Sequence, residues 1–382
     1  MPKSIAVEIN PKVLVWLRES SGWKLEEVGK NLNTNVEIIK DFELGKKNPT
    51  LKQLKLLSKA FKRPLASFFL SEPKEQKPLP RDYRMIPGRE GVFDKKTILT
   101  IRRARNLQMI SKELSLNISY ETKPKIEKIR LSDNPEMIGK KYRDLFDLTE
   151  KKQRRFRNSY ELFNYLRDIL EDINIIVFQF SMPVEDARGF TLVDDFPAVI
   201  VVNSKDSIEA RLFSLMHEFA HILLGETVID IPKLPLKMKN KIEKWCSEFA
   251  SSFLLPTELA KEIFREQIAD LIKTETLNSL SRKYKVSKAM LLFRMLKMNQ
   301  ISELEYDEVL ERYQPEETLI GPKKEGVMGI LPDKKCLSER GNKFVSLVAN
   351  NFDRNYITYT DVLDYLSIKS RSFQKVLVKA RK

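Results

Sequence analysis

The two histidines of this 382-residue chain lie four residues apart, in the segment His217-Glu218-Phe219-Ala220-His221. On a helix, residues i and i+4 share a face, so both imidazoles can bind one metal ion. Glu218 can reach a water held by that metal, and zinc lowers the pKa of such a water toward roughly 7. The alternative is a chance spacing on a core helix, which would leave buried polar groups without a partner. We therefore expect a metal site with Glu218 as the general base.

A third protein ligand must come from outside this motif, and the chain has no third histidine to supply it. A carboxylate or, less favourably, Cys246 remains. In the next predicted helix the apolar residues form one stripe, and at about 100° per residue Glu243 lies on its margin. Glu248 falls on the opposite, solvent side, and Cys246 is expected as a small buried apolar residue. The pattern favours Glu243 as the third ligand, in a gluzincin-like arrangement.

Two separated segments, GFTLVDDFPAVIVVN…ARLFSLMHEFAHILLG and EKWCSEFASSFLLP, together resemble the ImmA/IrrE family of zinc metallopeptidases. The resemblance implies a zincin-like α+β domain and one Zn²⁺ ion held by His217, His221 and Glu243. It also implies a protein substrate of the repressor or antitoxin type. Ser247 departs from the family pattern, which commonly has Asn at that position.

The amino-terminal stretch is similar to helix-turn-helix domains of the Cro/repressor (XRE-like) type, with five short helices and a recognition helix starting near Asn35. The residues expected to hold DNA phosphates are Lys24, Asn35, Lys40, Lys46 and Lys47. Positions that usually read bases are occupied by Leu25, Val36 and Glu37, which are poor readers of the major groove. The alternative is therefore a protein-interaction or dimerisation module, so double-stranded DNA and a second copy of the chain are both candidate partners.

The periodicity predicts a multidomain, mainly α protein. We expect a helix-turn-helix domain at 1–70, a linker and helical connecting region at 71–157, a metallopeptidase domain with a small sheet at 158–272, and a helical region at 273–382. Three strands, INIIVFQF, GFTL and AVIVVN, precede helices at roughly 207–224, 236–255 and 258–272. The carboxyl-terminal helices are expected to be packing elements.

Charge is unevenly distributed along the chain, whose formal net charge is +15. Residues 151–265 carry 16 Lys and Arg against 17 Asp and Glu, so the excess lies in the flanks. Basic flanks suit nucleic acid, although a solvated lysine-rich surface is an equal alternative.

No apolar run is long enough for a membrane span or a signal peptide, and two cysteines are too few for a disulfide framework. A cytoplasmic protein is expected.

These observations predict a regulatory zinc endopeptidase that hydrolyses a peptide bond in a partner protein and is coupled to an amino-terminal DNA-binding domain. The alternative is a DNA-binding transcriptional regulator or antitoxin, in which the peptidase-like domain serves as a sensor or scaffold.

Overall fold

The computed structural model describes residues 6–73, 93–225, 236–266, 270–318 and 331–380. Contacts divide these residues into two units, the first ending at Arg103 and the second beginning at Ala104. Both units are mainly helical, and one small sheet lies in the middle of the chain, as predicted. Most of the linker predicted at the start of the 71–157 region, residues 74–92, lies outside the described residues. None of the described helices is long and apolar enough to cross a membrane.

In the described residues 6–73 the first unit contains four α-helices and a 3-10 helix, where five helices were predicted. The elements are α1 (Pro11–Glu19), α2 (Leu25–Asn31), α3 (Val36–Glu43), α4 (Leu51–Phe61) and the 3-10 helix Leu65–Phe69. Polar caps begin the helices: the Asn10 side chain accepts a hydrogen bond from the backbone at Lys12, and Thr50 forms a capping box with Gln53. The fifth predicted helix is too short for regular α-helical bonding and closes as a 3-10 turn.

Apolar residues from each of these five helices form one small core, which includes Leu17, Val28, Ile39 and Phe61. Beside it, the Arg18 guanidinium donates two hydrogen bonds to the Glu43 carboxylate, at 2.6 and 3.1 Å, and so ties α1 to α3. This bidentate ion pair fixes the orientation of α3 within the unit.

A long helix, α5 (Lys95–Asn117), is shared between the two units. Within the first unit, the Lys95 ammonium pairs with Glu27 at 2.6 Å. Arg102 donates to the backbone carbonyls of Phe61 and Lys62 at the end of α4. Cations are favourable at a helix carboxyl terminus, because its last carbonyls are unpaired.

The second unit surrounds a three-stranded sheet. Its helices before the sheet are α6 (Pro135–Leu145), α7 (Glu150–Arg155) and α8 (Ser159–Asp172). The strands are β1 (Ile175–Phe180), β2 (Gly189–Leu192) and β3 (Ala198–Asn203), at the three predicted positions. The spatial order is β1-β3-β2, with β1 parallel and β2 antiparallel to β3. β2 is therefore an edge strand of this sheet.

Helices follow the sheet to the end of the described chain. They are α9 (Ile208–Leu224), α10 (Leu236–Leu254), α11 (Thr257–Glu266), α12 (Thr274–Tyr284), α13 (Lys288–Lys297), α14 (Glu303–Thr318), α15 (Pro332–Arg340), α16 (Asn342–Asp353), α17 (Tyr359–Leu366) and α18 (Phe373–Ala380). A 3-10 turn, Ser370–Ser372, precedes α18. The helix predicted to reach residue 272 ends at Glu266 in the structure, and residues 267–269 are not described.

Every residue of β1 and β3 is buried, because helices cover both faces of the sheet. On one face, Val177 and Ile200 join the main core with α8 and α9. On the other, Phe178 packs edge to face on Phe344 of α16. The carboxyl-terminal helices are thus packing elements, as the sequence indicated.

A buried ion pair fastens those helices to α8. Arg167 and Glu171 are each almost fully buried, with Nε 3.1 Å from Oε1. Arg167 also donates to the carbonyl of Ser338 at 2.7 Å, and the backbone amide of Lys343 donates to Glu171 at 2.8 Å. Both charges therefore also hold α15 and α16, and the Arg167 guanidinium donates in addition to the carbonyl of Val177 in β1.

Candidate metal centre

Helix α9 carries both histidines in its last two turns. The Ser207 side chain caps its start by accepting from the backbone at Ala210, and apolar residues bury nearly the whole helix. His217 has no exposed surface, and the side chain of His221 is 15% exposed. Their Nε2 atoms lie 3.2 Å apart, so the i, i+4 spacing aims both imidazoles at one point.

Helix α10 packs against α9 and brings Glu243 to the same point. Its Oε2 lies 3.1 Å from Nε2 of His217, and its Oε1 lies 3.3 Å from Nε2 of His221. One ligand atom from each of the three residues falls within 4.8 Å of the others. Four ligands at 2.0–2.1 Å around a tetrahedral zinc ion are about 3.3 Å from one another. The structure thus brings together the three side chains predicted as ligands, at spacings that a zinc ion fits.

The electrostatics of Glu243 suit a cation. Burial opposes ionisation of this carboxyl group, but the adjacent imidazoles of His217 and His221 hold its pKa well below the usual range. Among the described residues, no group donates a hydrogen bond to its buried Oε1. A buried anionic oxygen without a donor is costly, and a metal ion at this point would remove that cost.

Two further residues of α10 contact the outer nitrogens of the imidazoles. Ser247 Oγ lies 3.3 Å from Nδ1 of His217, and Cys246 Sγ lies 3.6 Å from Nδ1 of His221. Such contacts fix the tautomer that leaves Nε2 available to a metal. Cys246 is fully buried, as expected, but it also touches a candidate ligand, which the sequence reasoning missed. The spacing 243, 246, 247 was the available signal, because i, i+3 and i+4 share one helical face.

Burial and neighbouring groups have opposite effects on the pKa values of Cys246 and His221, which contact each other. Burial raises the pKa of Cys246, so it remains a thiol that can accept from the imidazole. Burial lowers the pKa of His221, but its neighbours Cys246 and Glu243 raise it above the ordinary value. A metal at this point therefore competes with a proton for His221.

Glu218 is almost fully buried and lies outside the three-residue cluster. Its Oε2 accepts a hydrogen bond of 2.7 Å from the Thr191 hydroxyl of β2. Glu218 thus points toward the sheet, while His217 and His221 point toward α10. Glu248 is partly exposed, and its carboxylate pairs with Lys297 of α13 at 2.8 Å. It remains outside the cluster.

The candidate phosphate contacts lie on the surface of the first unit. Lys24, Lys40, Lys46 and Lys47 are all exposed, and Lys47 pairs with Asp41 at 2.8 Å. Asn35 caps α3, its side-chain oxygen accepting from the backbone at Ile38. Asn35 therefore has a structural role in addition to any contact with DNA.

Two family models match this chain, and they match different parts of it. A helix-turn-helix model matches residues 14–68. A peptidase M78 model, described as an IrrE N-terminal-like domain, matches residues 170–296 and so includes the sheet, α9 and α10. No curated protein matches the chain. The matches confirm the resemblance drawn from the motifs: the chain carries an XRE-type helix-turn-helix domain followed by an IrrE N-terminal-like, metallopeptidase-like domain.

Proposed function

We propose that this chain is a regulatory zinc-dependent endopeptidase that hydrolyses a peptide bond in a partner protein. The observation that carries the proposal is the convergence of His217, His221 and Glu243 at spacings of 3.1–3.3 Å, beside a buried glutamate on the same helix. Two neutral nitrogens and one carboxylate form a donor set that suits zinc.

A zinc ion held by these three residues would act as a Lewis acid on the substrate carbonyl and would lower the pKa of water to about 7. Ser247 and Cys246 orient the two imidazoles through their Nδ1 atoms. Glu218, buried on the same helix and outside the ligand cluster, is the residue that we assign to take the proton of the attacking water. It then passes that proton to the nitrogen of the leaving amine, as a general base followed by a general acid.

The edge strand suits an extended polypeptide substrate. β2 pairs with β3 on one side, and no other described strand pairs with it. An extended chain can add to such an edge through backbone hydrogen bonds. Because β2 also contacts Glu218 through Thr191, a peptide added there would run close to the general base. A segment that is unfolded or loosely held in the partner is the substrate this arrangement favours.

The helix-turn-helix domain gives the proposed enzyme its regulatory setting. Such domains bind DNA, and exposed lysines on this one can contact phosphates. A repressor or antitoxin-like protein, which itself works on DNA, is the substrate that the resemblance implies. We further propose that the protein acts in the cytoplasm, where both partners are found.

The test is cleavage of candidate repressor proteins encoded beside this gene, with zinc-loaded wild-type chain and with the Glu218→Gln variant. Glu248→Gln is the matched control, because that carboxylate lies on α10 but pairs with Lys297. We expect wild type and Glu248→Gln to release the same fragments, and Glu218→Gln to lose about 10²- to 10⁴-fold in rate while retaining its metal. Stoichiometric zinc without cleavage by any of the three would support the sensor or scaffold alternative.

A further inference from the structure

The short strand β2 presents two residues to the candidate general base. Gly189 and Thr191 are two positions apart, so they lie on the same face of the strand. Their partners on β3 are Val202 and Ile200, which belong to the core on the α9 side of the sheet. The general base therefore faces a strand whose register is fixed by its neighbour.

Thr191 forms a direct hydrogen bond with Glu218. Its Oγ1 lies 2.7 Å from Oε2 of the carboxylate and 3.3 Å from the backbone carbonyl of the same residue. A hydroxyl has one proton to donate, and the shorter contact to a carboxylate is the stronger bond. Threonine is also stiff at χ1, so its hydroxyl holds a defined position.

Gly189 allows the carboxylate to approach the strand closely. A Cβ at this position would lie 3.2 Å from both Cγ and Oε1 of Glu218, and 3.0 Å from the backbone carbonyl of Val201. Such contacts are tighter than ordinary side-chain packing, so a larger residue would displace the Glu218 side chain. Gly189, which has no side chain, leaves space for the Glu218 carboxylate beside β2. The Thr191 hydroxyl holds the carboxylate in that space.

The strand is itself anchored from its far end by helix α5. The buried Gln108 amide lies within hydrogen-bond distance of the carbonyls of Leu192, Asp195 and Pro197, at 3.4, 3.0 and 3.1 Å. Arg105 pairs with Asp194 at 2.6 Å in the same connection. These bonds fix the β2–β3 connection and therefore the position of Thr191 relative to α9.

We propose that Thr191 is a positioning residue for the reaction: it fixes Oε2 of Glu218 so that the general base is oriented before substrate binds. This inference rests on the proposed peptidase function. A purely structural role, in which Thr191 only satisfies a buried carboxylate, would affect stability without affecting turnover in a hydroxyl-dependent way. The two roles can be separated by comparing a variant without the hydroxyl with one that keeps it.

The kinetic experiment compares Thr191→Val, Thr191→Ser and wild-type chain, all loaded with zinc. We expect Thr191→Val to lower kcat by about 10- to 100-fold with KM unchanged, because a misplaced general base slows proton transfer. Thr191→Ser should restore kcat to within a few-fold, and zinc content should be equal in all three. Thr100→Val is the matched control, because it removes a hydroxyl that donates to the carbonyl of Lys96. A wild-type kcat in Thr191→Val, or a loss that Thr191→Ser does not restore, would overturn the proposal.

A second readout does not depend on activity. Urea unfolding of the metal-free full chain is measured for Thr191→Val, Glu218→Met and the double variant. If the hydrogen bond holds Glu218, Thr191→Val lowers the unfolding midpoint when Glu218 is present and has no further effect beside Glu218→Met. Additive shifts would reject the positioning role. Coupling together with a wild-type chain that cleaves no protein would instead reject the proposed function and leave the Thr191–Glu218 contact standing.

Discussion

The helix-turn-helix domain and the peptidase domain hold their candidate functional side chains in opposite environments. Lys24, Lys40, Lys46 and Lys47 are exposed to solvent. His217 and Glu218 are buried, and their side chains form hydrogen bonds with Ser247 and Thr191, respectively. A buried polar group requires a partner in the protein, whereas an exposed one does not. Substitutions in the peptidase domain should therefore have large, partner-dependent effects, and those on the DNA-binding surface should have small, additive ones.

The largest expected effect is loss of the metal when Glu243 is changed. Glu243→Gln removes the anionic ligand, and we expect zinc content after gel filtration to fall from one ion per chain toward zero. Zinc should stabilise wild type against heat by about 4 kcal/mol at a thousandfold excess over the dissociation constant, and EDTA should abolish this gain. Glu248→Gln should bind zinc as wild type does. Full zinc occupancy in Glu243→Gln would remove Glu243 from the ligand set.

Two ion pairs of the same i, i+4 spacing differ in burial, and we expect them to differ in their effect on stability. Arg167→Ala leaves Glu171 buried without its cation, which should lower the free energy of unfolding by about 3–5 kcal/mol. Arg154→Ala breaks the exposed i, i+4 pair with Glu150 and should cost less than about 1 kcal/mol. Urea unfolding of both variants measures the contrast. Equal losses would contradict the view that burial determines the size of the effect.

A smaller effect is expected at the outer nitrogen of His217. Ser247→Ala removes the oxygen that orients this imidazole, and should weaken zinc binding by about 10- to 100-fold in a chelator competition assay. Ser247→Asn places an amide oxygen on the same helical face and should retain most of the affinity. Ser251→Ala, one turn further along α10, removes a hydroxyl that donates to its own helix and provides the control. Unchanged affinity in Ser247→Ala would mean that the 3.3 Å contact does not orient the ligand.

The contrast between exposed side chains and buried ones that need a partner also explains which parts of the site can be predicted from the sequence. The cluster could be inferred because His217 and His221 share a helical face, and Glu243 lies on the margin of an apolar stripe. The contact of Thr191 with Glu218 could not, because it depends on how α9 crosses a sheet whose strands are joined by distant pairing. The ion pair of Glu248 was not predictable for a related reason: helical periodicity identifies the polar face, but not that Lys297 of α13 packs beside it.

The fold was predictable to a similar extent. The segments INIIVFQF, GFTL and AVIVVN predicted three strands, and the structure has strands at these positions. Order and direction were not predictable from these runs: β2 lies beside β3 and antiparallel to it, and not beside β1. Local patterns thus predict elements and helical faces, whereas tertiary packing decides which side chain meets Glu218.

The smallest effects are expected on the proposed DNA-binding surface, where single lysines would contact phosphates independently of one another. Lys46→Ala should weaken binding to duplex DNA only a few-fold and reduce the slope of log K against log salt by about 0.9, the value for one lost phosphate contact. Lys47→Ala should change the slope less, because Lys47 is already paired with Asp41, whose pKa this ion pair lowers. Lys140→Ala, an exposed lysine of the second unit, should leave binding unchanged. Binding that does not depend on salt in wild type, or an effect of Lys140→Ala equal to that of Lys46→Ala, would favour the protein-interaction alternative for this domain.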